Sequence, residues 1–187
     1  MVAAANQKNV DRLPMRLMFQ DEARFGRMSD PRACWAPAPH RPVVNLALVR
    51  EFRYEYAAVS PWDGRLDYMT AEKMNTDSMS GFLAQISETY TNEFIVMVLD
   101  GASSHKSKDL KVPKNISLIP LPPYSPELNP AEQLWNALRR DYFANRVFDS
   151  LDAATQQAQQ GLAEMAANKE ALRQLTNWPW ISAILKT

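Results

Sequence analysis

The stretch that most constrains the fold is "EFIVMVLD", residues 93–100. A continuous apolar run of this length, closed by Asp100, is expected of a central strand buried on both faces. A strand of that kind needs strands beside it and helices above and below it. The flanking sequence offers both. Upstream, "PMRLMFQ" reads as a strand running into "DEARFGR", and "RPVVNLALV" as a second strand-like run after the loop "PRACWAPAPH". "RYEYAAVS" and "RLDYM" then flank "PWDG", where the Asp63-Gly64 pair signals a hairpin. Downstream, "NTDSMSGFLAQISETY" offers Thr76 or Ser78 as N-cap and spaces Met79, Phe82, Leu83 and Ile86 at helical intervals. "NISLIP" is another short strand. Helices are expected from Asn129 to about Phe143 and from Ser150 to about Ala167, with Trp178 and Trp180 as apolar anchors of the tail. The expectation is a mixed α+β protein: one mixed sheet with helices on its faces.

Composition narrows the chemistry. The only cysteine is Cys34, so no internal disulfide can form. His40 and His105 are the only histidines, which argues against a zinc site of Cys and His. A bound metal would take mostly carboxylate ligands, which favours Mg²⁺ or Mn²⁺. The 21 basic and 21 acidic residues cancel, which argues against gripping nucleic acid by bulk electrostatics. No apolar run approaches the roughly eighteen residues needed to span a bilayer. The opening "MVAAANQKNV" lacks a signal segment. These features predict a cytoplasmic protein without a membrane partner, folded as one domain over residues 1–187.

Three acids stand at element ends. Asp21 is expected to close the first strand, Asp100 the most apolar one, and Glu132 to open a helix directly after "LPPYSPELNP". An acid at the end of a buried strand is costly unless hydrogen bonds or a cation compensate it. Two on neighbouring strands repel, and a divalent cation removes the conflict. A third acid on a nearby helix would complete an oxygen-only site. Two metals about 3.5–4 Å apart hold the attacking and leaving oxygens of an in-line phosphoryl displacement. Prolines 122, 123 and 126 would stiffen the approach to Glu132. The ordinary reading of each acid stands beside this one. Asn129 and Pro130 make a good helix start, and Glu132 at N3 suits a capping box. Asp21 and Asp100 suit turns. Glu22 and Glu127 are rival ligands, with Glu22 on the opposite side of the strand from Asp21.

The blocks "FQDEARFGR", "VLDGASSHKS" and "LPPYSPELNPAEQLWNALRR" resemble those of mariner-like bacterial insertion-sequence transposases, catalytic domains of the DDE endonuclease superfamily. The resemblance covers about Leu17 to Arg140 and implies a ribonuclease H-like fold with a mixed five-stranded sheet. Matched motif by motif, the three acids of the family fall on Asp21, Asp100 and Glu132, as catalytic residues and as ligands of two Mg²⁺ or Mn²⁺ ions. The implied activity is cleavage of transposon ends with water, then joining of the freed 3′-hydroxyl to target DNA. His105 and Lys106 match part of the second block and are expected near the DNA backbone. Arg24, Arg27, Arg139 and Arg140 are candidate phosphate contacts, and Trp135 is expected in the core. Mariner-like relatives carry helix-turn-helix modules ahead of this region, and none fits before Asp21. End recognition is then expected from a separate subunit or an upstream segment, and a homodimer is expected at least on DNA. The alternatives are an inactive or repurposed binding domain and a ribonuclease H-type nuclease.

Overall fold

The computed structural model describes residues 8–101 and 107–184. His105 and Lys106 therefore lie outside the described residues. Five strands form one mixed sheet: β1 (Met15–Met28), β2 (Leu48–Ser60), β3 (Arg65–Ala71), β4 (Phe94–Leu99) and β5 (Ile116–Pro120), in the order β3-β2-β1-β4-β5. β1 pairs antiparallel with β2, and β2 with β3. β4 pairs parallel with β1 and with β5. All six residues of β4 are buried, as the apolar run requires. This is the mixed five-stranded sheet that the resemblance implies.

Helices cover both faces. On one face α1 (Thr76–Thr89) lays Met79, Phe82, Leu83 and Ile86 against Met18, Tyr56, Ala58 and Met97. On the other, α2 (Ala131–Leu138), α3 (Leu151–Ala167) and α4 (Lys169–Thr176) pack over Phe19, Ala23, Phe25 and Val59. A last helix, α5 (Pro179–Ile184), brings Ile181 into the same core. Trp178 packs against that core, as an anchor of the tail should, while Trp180 meets Phe19 edge-on at 6.1 Å but stays 37% exposed. Alternation along β1 sends Phe19, Asp21, Ala23 and Phe25 to the face of α2, and Met18 and Glu22 to the face of α1. The Asp63-Gly64 hairpin forms, with Gly64 at φ 66° and the α4 backbone so close that a side chain would collide with Lys169 O.

Four expectations need correction. β1 does not close at Asp21; it runs on to Met28, because β2 keeps pairing with it through Met28↔Leu48. "RPVVNLALV" is not a strand before Leu48, since β1 has ended and offers residues 41–47 no ladder; Val43 and Leu46 are exposed. The α1 cap is Asn75, whose side chain accepts from Ser78 N at 2.9 Å; asparagine is as good a cap as the serine and threonine beside it. The helix foreseen from Asn129 to Phe143 is two pieces, α2 and a π turn (Arg139–Phe143), preceded by a 3₁₀ turn (Pro126–Leu128). π turns often mark functional positions. The helix with Ser150 as its cap forms as expected.

Glu55 is a second buried acid on the α2–α3 side of the sheet. It has no exposed surface, accepts one hydrogen bond from Thr70 Oγ1 at 2.8 Å, and leaves Oε1 unpartnered. Burial pushes its carboxyl up from 4.5 to about 7. The folded state then holds a proton that the unfolded state has released, so stability falls as pH rises from 4.5 to 7. The expected loss is about 3 kcal/mol by the pKa-to-energy conversion. Urea unfolding of Glu55→Gln across this range should show that slope flattened; an unchanged slope would remove Glu55 as its source.

Candidate active site

The cleft lies where the parallel strands end, the usual place for a site in sheets of this kind. The β1–β4 ladder stops at Phe19↔Val98. Carried two residues further, the same register sets Asp21 level with Asp100. There β1 stays with β2 while β4 ends, and a cleft of about 500 Å³ opens, lined by Asp21, Asp100 and Glu132 among others. Leu121 N donates to Leu99 O at 2.7 Å, turning the chain after β5 across the cleft mouth. Prolines 122, 123 and 126 line that crossing. Tyr124, between them, is fully exposed and sits at φ 57°, a backbone state that costs a tyrosine about 1 kcal/mol.

Two buried hydrogen bonds aim the helix that carries Glu132. Asn129 Nδ2 donates to Gln20 O at 3.0 Å, while its Oδ1 accepts from Ala131 N at 3.1 Å. Trp135, 1% exposed, donates from Nε1 to Asp21 Oδ2 at 2.9 Å. Trp135 is thus a core residue, as expected, and also a direct partner of the first acid. That second role was missed from the sequence, although a signal existed: Glu132 and Trp135 are three apart and neighbours on one helical flank. A capping box would have Glu132 reach back to the Asn129 amide. That amide instead donates to Pro126 O at 2.9 Å, which leaves the Glu132 carboxylate at the cleft.

Asp21 is 9% exposed. Burial, then the facing Glu132 and the neighbouring Glu22, push its carboxyl up from 3.8 to about 7, against the opposing pull of the Trp135 hydrogen bond. Asp21, whose charge Glu132 disfavours, forms with Glu132 and with Asp100 at its level a donor set of oxygens alone. Its chemistry fits a hard divalent cation. Among the described residues no three acidic, histidine or cysteine side chains stand close enough to form one ion's coordination shell. The three acids share a cleft at wider spacing than a closed metal site.

The candidate arginines sort into two classes. Arg27 is engaged by Phe148 O at 3.1 Å and Glu51 at 3.0 Å, and Arg140 by Asp141 at 2.6 and 2.7 Å. Arg24 and Arg139 make no ion pair among the described residues, although Asp30, Glu132 and Asp21 act on Arg139 through space, and each lies over an aromatic ring. Glu22 pairs across to Tyr56, on the α1 face and away from Asp21. Glu127, in the 3₁₀ turn, does not line the cleft.

Residues 16–155 match the family described as DDE superfamily endonuclease. An uncharacterized protein, y4pE/y4sA of Sinorhizobium fredii, is 38% identical over 100 residues, covering 53% of this chain and 74% of that protein. The fold is similar to that of Mos1 transposase in a paired-end complex with the left transposon end, with TM-score 0.57 and 12% identity over 95% of this chain and 60% of that one. A mariner Mos1 paired-end complex with Mg gives 0.58 and 16%, over 90% and 55% of the two chains. A simian T-cell lymphotropic virus intasome gives 0.52 and 10%, over 83% and 48%. At such identities the likeness shows the fold, which these transposase and integrase domains share as the ribonuclease H-like arrangement. The chain spans at most about 60% of these larger proteins.

Trp135→Phe keeps a buried ring and deletes the donor to Asp21. The expected cost is about 1–3 kcal/mol, the usual range for stranding a buried acceptor. Denaturant unfolding at pH 8, where Asp21 is mostly ionised, measures it. A loss no larger than that of a surface control would mean that the hydrogen bond adds nothing.

Proposed function

The chain belongs to the DDE superfamily of endonucleases, and from that premise we propose that it cuts DNA phosphodiester bonds at Asp21, Asp100 and Glu132 and joins the freed 3′-hydroxyl to a target strand. One observation carries the reading. Acids from three separate elements, β1, the end of β4 and the start of α2, line a single cleft. They would hold two Mg²⁺ or Mn²⁺ ions. Such ions, when bound, lower the pKa of an attacking water and neutralise charge on the phosphoryl oxygens.

The chain's own residues do the rest. Trp135 ties up Asp21 Oδ2, so the carboxylate meets the cleft in one orientation. Asn129 fixes the height of the helix start against β1. Prolines 122, 123 and 126 would stiffen the chain that crosses the cleft mouth. The similar structures, Mos1 complexes with transposon ends and a Mos1 strand transfer complex, support DNA as substrate and both steps as the chemistry. Action as a homodimer on paired DNA ends belongs to the same proposal, as does a helix-turn-helix subunit or upstream segment for end recognition. A cytoplasmic location belongs to it too, since DNA is the substrate. Among the described residues no helix is long and apolar enough to cross a membrane.

One observation favours the second reading, a transposase-derived binding domain without chemistry. The three acids are not drawn together into a closed ligand cluster. Supercoiled plasmid nicking separates the two. With Mg²⁺ the wild type should nick, and Asp21→Asn, Asp100→Asn and Glu132→Gln should each lose roughly 10³-fold, the rate equivalent of about 4 kcal/mol. Circular dichroism should show all three folded. Full activity in Asp100→Asn refutes the assignment. Absence of nicking in the wild type, with no heat of Mn²⁺ binding, leaves the binding domain. Preference for RNA–DNA hybrids would make it a ribonuclease H-type nuclease.

A further inference from the structure

A second pocket, of about 330 Å³, lies further along β1 than the acidic cleft, with Arg24, Arg32 and Arg139 on its walls. It sits at the edge of β1 that β4 has left: among the described residues, past Phe19 that edge has no neighbouring strand apart from an isolated bridge between Asp30 and Ala144. Arg32 is held by Asp30 at 2.9 Å. Arg24 and Arg139 differ from it. The Arg24 guanidinium lies 4.9 Å from the centre of the Phe52 ring, and that of Arg139 4.9 Å from the Phe25 ring. Neither guanidinium makes a hydrogen bond or ion pair among the described residues. Stacking pins each planar fork and leaves its N–H edges unspent. Arg139 is half-buried, where an unpaired cation is costly and an anion relieves the cost.

We propose that this pocket seats one phosphodiester of a bound nucleic-acid strand, about three nucleotides from the bond that is cut, held at the free edge of β1 between Arg24, on the α1 face, and Arg139, on the α2 face. Two independent rulers give the offset. Arg139 follows Glu132 by seven helical residues, a rise of about 10 Å. Arg24 follows Asp21 by three strand residues, also about 10 Å. Successive phosphates of one strand are spaced by about 3.4 Å along the duplex axis. With Asp30 counted against the three arginines the pocket remains cationic, and two planar forks match the oxygens of one phosphate. The inference rests on the nuclease reading and adds a place on the substrate to it.

The test uses the full chain and a short random-sequence DNA duplex, followed by fluorescence anisotropy as salt is raised. Arg24→Ala/Arg139→Ala should bind about tenfold more weakly, with a log–log salt slope shallower by about 0.9, as expected when one fewer phosphate is neutralised. Arg27→Ala/Arg140→Ala should keep the wild-type slope, since those cations are already spent. Arg24→Lys/Arg139→Lys, which retains the charge but not the planar stacked fork, should recover the slope while binding more weakly than the wild type. The proposal is overturned by an unchanged slope in the alanine pair or by an equal fall in the Arg27/Arg140 pair. With nicking as readout, a single neutral methylphosphonate should suppress cleavage at the bond about three nucleotides away; uniform cleavage around it would overturn the offset alone. Lack of nicking by the wild type would sink the nuclease reading instead, and the salt slopes would still judge the pocket.

Discussion

The site depends on how a short helix docks onto the middle of a long strand. α2 has eight residues and would not persist alone in water. Its stripe of Leu134, Trp135 and Leu138 is buried with Phe19 and Phe25 of β1. That packing gives affinity but little register, because apolar surfaces tolerate sliding. Register comes from two directional bonds to consecutive β1 residues: Asn129 to the Gln20 carbonyl and Trp135 to the Asp21 carboxylate. One anchors the start of the helix and the other its middle. The position of Glu132, between them in sequence, is set by bonds it does not itself make.

The same docking creates the strain of the site. Trp135 covers Asp21, and the burial it brings raises the cost of charging the acid that it also hydrogen-bonds. Burial outweighs the single hydrogen bond, since the carboxyl sits well above its ordinary range. A protein selected only for stability would place an apolar residue here, as it does at Phe19 and Ala23 on the same face. A local rule broken at the mouth of a cleft, with its same-face neighbours along β1 obeying that rule, is what a functional position looks like. Cations drawn to this carboxylate would therefore couple binding to stability.

Much of this was legible from residues alone. The apolar run of β4 announced a central strand and, through it, Asp100 at a strand end. Proline, asparagine and glutamate spacing announced the helix that presents Glu132. The misreadings share one cause, which is dependence on a distant partner. The length of β1 past Asp21 is decided by β2, and residues 41–47 fail as a strand because β1 has no ladder left for them. Arg27 looks as available as Arg24 until the fold brings Glu51 and Phe148 to it, from 24 and 121 residues away. The bond from Trp135 to Asp21 spans 114 residues and is hidden by the burial that makes a tryptophan look purely apolar.

Net neutrality and DNA binding are compatible once charges are counted by place. A chain with 21 cations and 21 anions exerts no useful long-range pull on a polyanion. It can still hold a strand where its cations lack partners, provided they are paired elsewhere. The described arginines around β1 follow that division: Arg16, Arg27 and Arg32 are tied to acids, while Arg24 and Arg139 are stacked on rings and left open. The bare edge of β1 beyond β4 would otherwise be a site for unwanted strand pairing. Here that edge joins the acidic cleft at one end to an arginine pocket at the other. The early end of β4 thus opens the cleft at Asp100 and leaves, further along the same edge of β1, the separate pocket of Arg24 and Arg139.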